Sequence, residues 1–487
     1  AGVCPGCMII TIKAGHESKD RTDRIAQAIY FAIANGASVI VMLDAELGYS
    51  SLTRAALDYA WRKGVIVVGA TNDFDSSDHQ NGMFWPRVWP GNGLVADGTG
   101  TITQLAKTDR LTTNFRSRSN DTSFGPHALF SASNKGGSTS ESTPTTAAVA
   151  ALVISEGRNA AEQHQISGPL NAGEVEQVVR ETASNITDPN LGWPGKPGAT
   201  FNIQYGYGRP DVLAAMEAVA ANRIPPVPDI QSPDWYALFD PTHTSSVPIN
   251  VDISAPRAAS FTWRVQYGLG PDPTEAQFVT IASGSSSSHD LHGVLVHLPL
   301  SQIPQSFWDA PFHFTTDLSS TEQYDVTIRV QATDDRGNMG EDRRAVAVFH
   351  DPSIRRGFPV RLVDGAPVAS PELSDLRGNG KLDIIFGDSN GYIHAVDPDT
   401  GRELPGWPAH TAPVDLGLAR ASAAGAAGAV PAHAYEPILA PAAVGDLTGD
   451  GAQDVVVTSE SGRVYAFNRF GRLRPGFPRT LGSATTY

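Results

Sequence analysis

The sequence predicts a multidomain protein that combines an α/β domain, an all-β sandwich and an incomplete set of β-propeller repeats. Three observations predict this organisation. Apolar strand-like runs alternate with segments of helical periodicity over residues 1–221, strand patterns alone continue through residues 222–350, and a repeated pair of motifs fills residues 351–487. The length of 487 residues also suggests about three domains.

The α/β domain is expected to be a parallel sheet with helices on both faces, because its strands and helices alternate along the chain. We predict its first five elements in order as strand, helix, strand, helix and strand, over Met8–Ile12, Arg24–Ala34, Val39–Leu43, Thr53–Arg62 and Val65–Val68. Asn35-Gly36 and Lys63-Gly64 end the two helices. Ligands of such sheets bind at the carboxyl ends of the strands, which here follow Leu43 and Val68.

The composition excludes several classes of function. The chain has 36 basic and 51 acidic residues, a net charge of −15, which argues against a nucleic-acid or anionic-membrane surface and suits a secreted or cell-surface protein. The longest uncharged stretch, between Arg24 and Asp44, is interrupted by Asn35-Gly36, so it does not predict a membrane span. The first residues, Ala1-Gly2-Val3, lack the basic region of a signal peptide, and we expect that Ala1 is not the natural start.

The only two cysteines, Cys4 and Cys7, form a C-x-x-C pair. Two ligands are too few for a zinc site, and a redox motif would need a thioredoxin-like context. We expect either a small disulfide loop or two free thiols.

The segment Ser138–Pro144 places a serine beside the start of a predicted helix. The apolar part of this helix is Thr145–Ser155, and Gly157 is expected to end it. Proline suits the first turn of a helix, so Ser140 would lie just ahead of the helix N-terminus. There the free N–H groups can stabilise a developing oxyanion. The alternative is a serine-rich N-cap loop without a catalytic role.

Asn72 follows the carboxyl end of the strand Val65–Val68. Its side-chain amide could donate a hydrogen bond to an oxyanion. The alternative is an ordinary turn residue.

These residues resemble the subtilisin-like serine proteases (subtilases), over about residues 1–221. Thr139, Ser140, Ser142 and Pro144 match the nucleophile motif of the family, and Asn72 falls on its oxyanion-hole asparagine. Three further segments are similar to family landmarks in the same order: Gly2–Cys7, Trp85–Pro90 and Gly206–Asp211. The sequence departs from the family at Ser138 and Thr71, which replace glycines, and at Thr145, which replaces a histidine. The resemblance implies that Ser140 is the nucleophile.

The same resemblance implies that the catalytic Asp and His lie upstream of residue 2, because the family orders its triad Asp, His, Ser. His16, His79 and His127 are not expected to act as the base. Asp44 stands where the family has a substrate-lining segment, and it implies a different specificity. A serine without its histidine does not attack amides at neutral pH, so this chain alone is expected to be inactive.

Beyond the proline-rich linker Ile224–Pro228, residues 229–350 show alternating strands and end in a hairpin around Asp334–Asn338. This pattern predicts a β-sandwich and resembles fibronectin type III or immunoglobulin-like modules. Its expected role is that of a spacer or a binding surface.

Residues 351–487 repeat a Gly-aromatic-Pro motif with a period of about 49 residues, and the alanine-rich segment Ala419–Ala434 lies inside the second unit. Such a period is typical of propeller blades, although two units cannot close a ring of about 4–8 blades. The repeats resemble the FG-GAP/VCBS type.

An acidic loop recurs in both repeats, with oxygen-bearing residues at alternate positions around a glycine turn. Such a pattern wraps Ca²⁺, so we predict Ca²⁺ as a cofactor. The expected ligands are Asp446, Thr448, Asp450, Ala452 and Asp454 in the second copy, and Asp375, Asn379 and Asp383 in the first. Arg377 replaces an oxygen donor in the first copy, which is the weaker candidate. The alternative is an Asp/Gly turn without metal.

Together these features predict a secreted serine endopeptidase of the subtilase type. Its partners would be a protein or peptide substrate, together with a protein or glycan ligand of the repeats. The alternative is a non-catalytic protease-like scaffold in a secreted binding or adhesion protein.

Overall fold

The computed structural model describes residues 3–15, 21–43, 50–70, 87–95, 117–118, 125–133, 139–184, 200–203, 205–312, 322–362 and 365–481. The chain forms two compact units. The first unit contains Ala1–Ile9, Ala37–Ala45 and Trp61–Asp351, and the second contains Ile10–Gly36, Glu46–Ala60 and Pro352–Tyr487. These units do not coincide with the three predicted domains, which remain our proposal for how the sequence is organised.

The α/β part of the chain contains five strands and five helices among its described residues. In chain order they are α1 (Thr22–Ala34), β1 (Val39–Met42), α2 (Ser51–Arg62), β2 (Ile66–Ala70), β3 (Val88–Val95), β4 (Ser117–Arg118), β5 (Phe130–Ser133), α3 (Thr139–Glu162), α4 (Ala172–Thr182) and α5 (Val212–Ala220). The first two predicted helices and the strands after residues 38 and 64 are confirmed to within two residues at each end.

The five strands form one sheet, in which β1, β2, β3 and β5 run parallel in that order and β4 pairs antiparallel with β3. Helix α3 packs against β1, β2, β3 and β5. Its buried side chains form one core with those of the strands, including Val68, Trp89, Phe130 and Val153. Four strands are therefore parallel, as predicted, within a sheet that is mixed because of β4, whereas helices on both of its faces remain an expectation.

Two predictions about these elements are wrong. Met8–Ile12 is not a strand, because no described strand pairs with it, and Met8 is 97% exposed. Helix α3 begins at Thr139 rather than Thr145, so it includes Ser140 and Pro144. It also continues through Gly157, where a Cβ atom would lie only 2.7 Å from Cγ of Leu170. Glycine is therefore used there for close packing and not to end the helix.

The middle part of the chain is a two-sheet β-sandwich. Its elements are β6 (Val227–Ser232), β7 (Leu238–Phe239), β8 (Ser246–Ser254), β9 (Phe261–Leu269), β10 (Val279–Ser286), β11 (Asp290–Pro299), α6 (Gln305–Trp308), β12 (Asp325–Asp334) and β13 (Met339–Val348). One sheet has the order β10-β9-β12-β13-β7 and the other β11-β8-β6. Inward residues of both sheets, such as Val251, Val265 and Ile328, share one core, which confirms the predicted sandwich architecture.

The repeat part forms two four-stranded antiparallel sheets. They consist of β14 (Glu372–Ser374), β15 (Asp383–Gly387), β16 (Tyr392–Val396) and β17 (Ala409–His410), and of β18 (Ala443–Gly445), β19 (Asp454–Thr458), β20 (Arg463–Asn468) and β21 (Arg479–Thr480). Two short helices, α7 (Gly417–Arg420) and α8 (Ala423–Ala426), lie between the sheets in sequence. Residues of both sheets, including Ile385, Ile393, Val455 and Phe467, pack in one core.

Within the second unit, helix α1 packs against the alanine-rich segment between the two sheets. It contacts α7 and α8, and the buried Tyr30 hydroxyl donates to the carbonyl of Ala429 over 2.8 Å. At the other end of α1, the N–H of Thr22 donates to the Glu460 carboxylate over 3.0 Å. The alanine-rich segment inside the second repeat therefore supplies a packing surface for α1.

Candidate functional site

Ser140 is the second residue of helix α3 and is partly exposed. The first four N–H groups of a helix have no partner within it, so the N–H of Ser140 is one of these orphan donors. In the described part of the chain, Oγ of Ser140 makes no hydrogen bond. The predicted nucleophile therefore lies at a helix N-terminus, although inside the helix and not ahead of it.

The hydroxyl groups that follow Ser140 bond back to the first residue of the helix. Oγ of Ser142 and Oγ1 of Thr143 donate to the carbonyl of Thr139 over 3.0 Å and 2.7 Å. Serine and threonine hydroxyls inside a helix often donate to a carbonyl three or four residues earlier in this way. Pro144 has no N–H to offer to the carbonyl four residues earlier, so the carbonyl of Ser140 lacks its helical partner.

The sheet topology brings the start of α3 to one edge. Residues 134–138 are all that separates the end of β5 from Thr139, so α3 must begin near the carboxyl end of β5. Strand β2 runs parallel to β3, and β3 to β5, so β2 ends at that same edge. Asn72 comes two residues after β2 but lies outside the described residues. Its predicted place beside Ser140 stays a prediction.

The one described histidine among those weighed as the base is unsuited to the role. His127 is buried and packs against Trp235, with ring centroids 4.7 Å apart. Burial first, and then the positive charge of Arg344, lowers the pKa of His127 to about 3. It is therefore neutral at physiological pH and too weak a base to activate a serine. His16 and His79 lie outside the described residues, as does Asp44.

The segment Gly206–Asp211 holds the strand that leads to Ser140. The N–H of Tyr207 donates to the carbonyl of Leu129, and the N–H of Ser131 on β5 donates to the carbonyl of Gly208. Gly206 has a φ of +64°, and a Cβ atom there would lie 2.3 Å from the Leu129 carbonyl oxygen. Only glycine fits this position, which makes the segment a rigid support of β5.

The sequence did not predict that a buried glutamate, Glu341, binds the segment Gly206–Asp211. The hydroxyl of Tyr207 donates to Oε1 of Glu341 on β13 over 2.9 Å. The side chain of Gln177 on α4 donates to the carbonyl of Glu341 and accepts from its N–H. Nothing local in the sequence distinguishes Glu341 from a solvent-facing glutamate on a strand.

Cys4 and Cys7 form a disulfide, with Cα atoms 5.5 Å apart. Of the two expected alternatives, the structure therefore shows the small disulfide loop. Among the described helices, none has the length and apolar character needed to cross a bilayer.

The acidic loop of the second repeat is wrapped around the carboxylate of Asp446. That carboxylate accepts hydrogen bonds from the N–H groups of Thr448, Gly449, Asp450 and Gly451, at 2.7–3.2 Å. At the far end of the loop, Asp454 is fully buried and contacts Arg474, whose Nη2 lies 2.6 Å from Oδ1.

The first repeat has the same loop around Asp375, which accepts from the N–H groups of Asn379 and Gly380. Its last aspartate, Asp383, is fully buried and lies 2.7 Å from Nη2 of Arg377. This contact is a close ion pair and not an aligned hydrogen bond.

The two loops fit calcium only in part. The second loop has oxygen-bearing residues at the required spacing, and the Asp446 and Asp450 side chains are exposed. However, within the described ranges no group of three or more His, Cys, Asp or Glu side chains is arranged to hold a metal ion. The predicted ligands therefore share a loop but do not converge in this conformation.

No known protein family matches this sequence, and no curated protein matches it. Among solved structures, the prenylagaramide maturation protease PagA is similar over 45% of this chain and 76% of its own, at 17% identity and a TM-score of 0.33. Sphericase is similar over 40% of this chain and 64% of its own, at 19% identity and a TM-score of 0.29. A protease from Pseudoalteromonas arctica is similar over 41% of this chain and 59% of its own, at 17% identity and a TM-score of 0.30.

This chain therefore spans less than two thirds of the length of sphericase and of the Pseudoalteromonas arctica protease.

Proposed function

We propose that the chain carries the nucleophile and oxyanion part of a serine endopeptidase of the subtilase type. The observation that supports this most is the placement of Ser140. It lies on the first turn of a long helix that begins at the carboxyl edge of a parallel sheet, with the matching residues Thr139, Ser142 and Pro144 around it.

In the proposed reaction, Oγ of Ser140 attacks the carbonyl carbon of a peptide bond and forms an acyl-enzyme. The proton of the serine passes to a histidine and then to the leaving amine, after which water releases the acyl group. The orphan N–H of Ser140 and the side-chain amide of Asn72 would donate to the oxyanion. The histidine and its aspartate are expected upstream of this chain, so the chain alone is expected to be inactive.

The alternative function is a non-catalytic protease-like scaffold in a binding or adhesion protein. A fluorophosphonate probe separates the two, because it labels only an activated serine. We expect labelling of the natural protein, isolated as its source produces it, and none of Ser140→Ala. Ser155→Ala, a change of an exposed serine on the same helix, is the matched control and should be labelled normally. No labelling of the natural protein would exclude the enzyme.

We also propose that the loop Asp446–Asp454 binds Ca²⁺ through Asp446, Thr448, Asp450, the carbonyl of Ala452, and Asp454. The preformed turn and the exposed Asp450 carboxylate support this. We expect Ca²⁺ to raise the melting temperature of the full chain, and Asp450→Asn to remove the increase. Asp290→Asn, at an exposed position of the sandwich, should respond like the unchanged protein. An unchanged melting temperature with excess chelator would count against bound Ca²⁺.

We further propose that the sandwich is a fibronectin type III or immunoglobulin-like spacer and that the repeats are FG-GAP/VCBS-type blades of a propeller. A protein or glycan would be the ligand of the blades, and the protein would be secreted or held at the cell surface. The acidic net charge of −15 supports an extracellular place. Fractionation of the source culture tests this, since recovery only inside cells would contradict it.

A further inference from the structure

Both repeats bury an aspartate at the last position of the acidic loop. Asp383 and Asp454 are fully buried at the starts of β15 and β19. A buried carboxylate is strongly unfavourable unless a positive charge or several hydrogen bonds compensate it. Each repeat must therefore compensate the charge of its buried aspartate in one of these two ways.

In the first repeat, the counter-charge comes from inside the loop. Arg377 occupies the third loop position, and its Nη2 lies 2.7 Å from Oδ1 of Asp383. Its Nη1 lies 2.6 Å from Oδ2 of Asp397, so the guanidinium bridges two carboxylates. A calcium loop needs an oxygen donor at this third position.

In the second repeat, the counter-charge comes from outside the loop. Arg474 lies beyond β20, and its Nε and Nη2 lie 2.8 Å and 2.6 Å from Oδ1 of Asp454. Its Nη2 is also 3.8 Å from Oδ2 of Asp450. The third loop position is Thr448, which leaves the loop without a positive charge of its own.

The two arginines are placed reciprocally. The segments Gly401–Pro408 and Gly471–Pro478 correspond, and Leu404 stands in the first where Arg474 stands in the second. The first repeat thus has arginine at the third loop position and leucine in the later segment. The second repeat has threonine at the third loop position and arginine in the later segment. Each blade has one guanidinium on its buried aspartate, although the sequence supplies it from two different positions.

We propose that arginine is the built-in counter-ion of each acidic loop. Arg377 keeps Ca²⁺ out of the first loop, and Ca²⁺ entering the second loop must displace Arg474 from Asp454. The second statement rests on the proposed calcium binding, whereas the counter-ion role does not.

The test compares Arg377→Thr and Arg474→Leu, each of which gives one blade the residue found in the other. Thermal unfolding of the full chain is followed in excess chelator and in Ca²⁺, and Ca²⁺ binding is measured by titration calorimetry. Arg472→Leu, at an exposed position nearby, is the control. In chelator we expect both variants to melt about 5 °C or more below the unchanged chain, since a buried charge loses its partner.

In titrations with Ca²⁺, we expect Arg377→Thr to bind one more Ca²⁺ ion than the unchanged chain. We expect Arg474→Leu to bind Ca²⁺ about tenfold more tightly than the unchanged chain. Variants as stable as the unchanged chain in chelator would overturn the counter-ion role. Destabilised variants without any Ca²⁺ binding would support that role and refute the calcium proposal. If Arg474→Leu does not fold, the double variant Arg474→Leu with Asp454→Asn tests the counter-ion role. Removing the charge of Asp454 should then restore folding. A double variant that is as unstable as Arg474→Leu alone would overturn the counter-ion role.

Discussion

Replacing Glu341 with glutamine tests the buried group that supports the strand leading to Ser140. The Glu341 side chain is 1% exposed and accepts from Nε of Arg343 over 2.6 Å. Its two carboxylate oxygens also accept from the hydroxyl of Tyr207 and from Nε2 of Gln331, at 2.9 Å and 2.6 Å. Glutamine keeps the shape of the side chain but removes the negative charge.

The pKa of Glu341 gives the expected size of the effect. Burial alone would raise the pKa, but the guanidinium groups of Arg343, Arg180 and Arg329 outweigh it and lower the pKa from 4.5 to about 2. A decrease of this size corresponds to about 3 kcal/mol of stability at neutral pH. Because the folded-state pKa is lowered, this stabilisation is present above pH 4.5 and is lost as the pH falls towards 2.

Hydrogen exchange measured by mass spectrometry on the full chain is a suitable assay, because it reports on β13 and α4 separately from the repeats. About 3 kcal/mol corresponds to exchange that is roughly a hundredfold faster at pH 7 in Glu341→Gln. The difference from the unchanged protein should shrink as the pH falls towards 2. Glu217→Gln, an exposed change on α5, is the control. Equal exchange rates at pH 7 would refute the assigned role.

Three further predictions follow from single residues. Gly206→Ala should lower the melting temperature clearly more than Gly337→Ala, because a Cβ atom at Gly206 meets the Leu129 carbonyl at 2.3 Å whereas none lies within 4 Å at Gly337. The Gly337 change should cost about 1 kcal/mol for its positive φ, and equal losses would contradict the packing argument. Burial is the main cause that raises the pKa of Glu460 from 4.5 to about 7, so the stability of the docked α1 should fall by about 3 kcal/mol as the pH rises from below 4.5 to above 7. Hydrogen exchange of α1 in Glu460→Gln should show no such pH dependence. The same pH dependence in Glu460→Gln and in the unchanged protein would contradict the role of Glu460. In an active natural protein, Asn72→Ala should lower kcat by about 10²–10³ with KM little changed, and an unchanged kcat would remove Asn72 from the oxyanion hole.

The order of strands and helices could be predicted from the sequence because it depends on local patterns. The apolar runs around Val41 and Val67 are short, which is typical of parallel strands, and both predicted strands are present. Gly36 and Gly64, both at positive φ, end helices where the sequence placed them. The hairpin between β12 and β13 also follows its turn residues, with Gly337 at a φ of +88°.

The start of α3 could not be predicted, because proline usually marks a first helical turn and here it is the sixth helical residue. In the extra turn, the hydroxyl groups of Ser142 and Thr143 donate to the Thr139 carbonyl. Neither residue favours a helix interior, so the sequence gives no sign of the extra turn.

Contacts between polar or charged residues that lie far apart in the chain also could not be predicted from the sequence. Tyr207 and Glu341 are 134 residues apart, and Thr22 and Glu460 are 438 apart. Arg474 contacts Asp454 from outside the acidic loop, so the loop motif gives no sign of it. No periodicity records such contacts, because they depend on how distant segments pack.

Fluorophosphonate labelling of the natural protein, followed by peptide mapping, tests directly whether Ser140 is the nucleophile. We expect a single labelled residue, Ser140, with loss of labelling in Ser140→Ala and normal labelling in Ser155→Ala. Labelling that maps to another serine, or that persists in Ser140→Ala, would contradict the claim that the first turn of α3 presents the nucleophile.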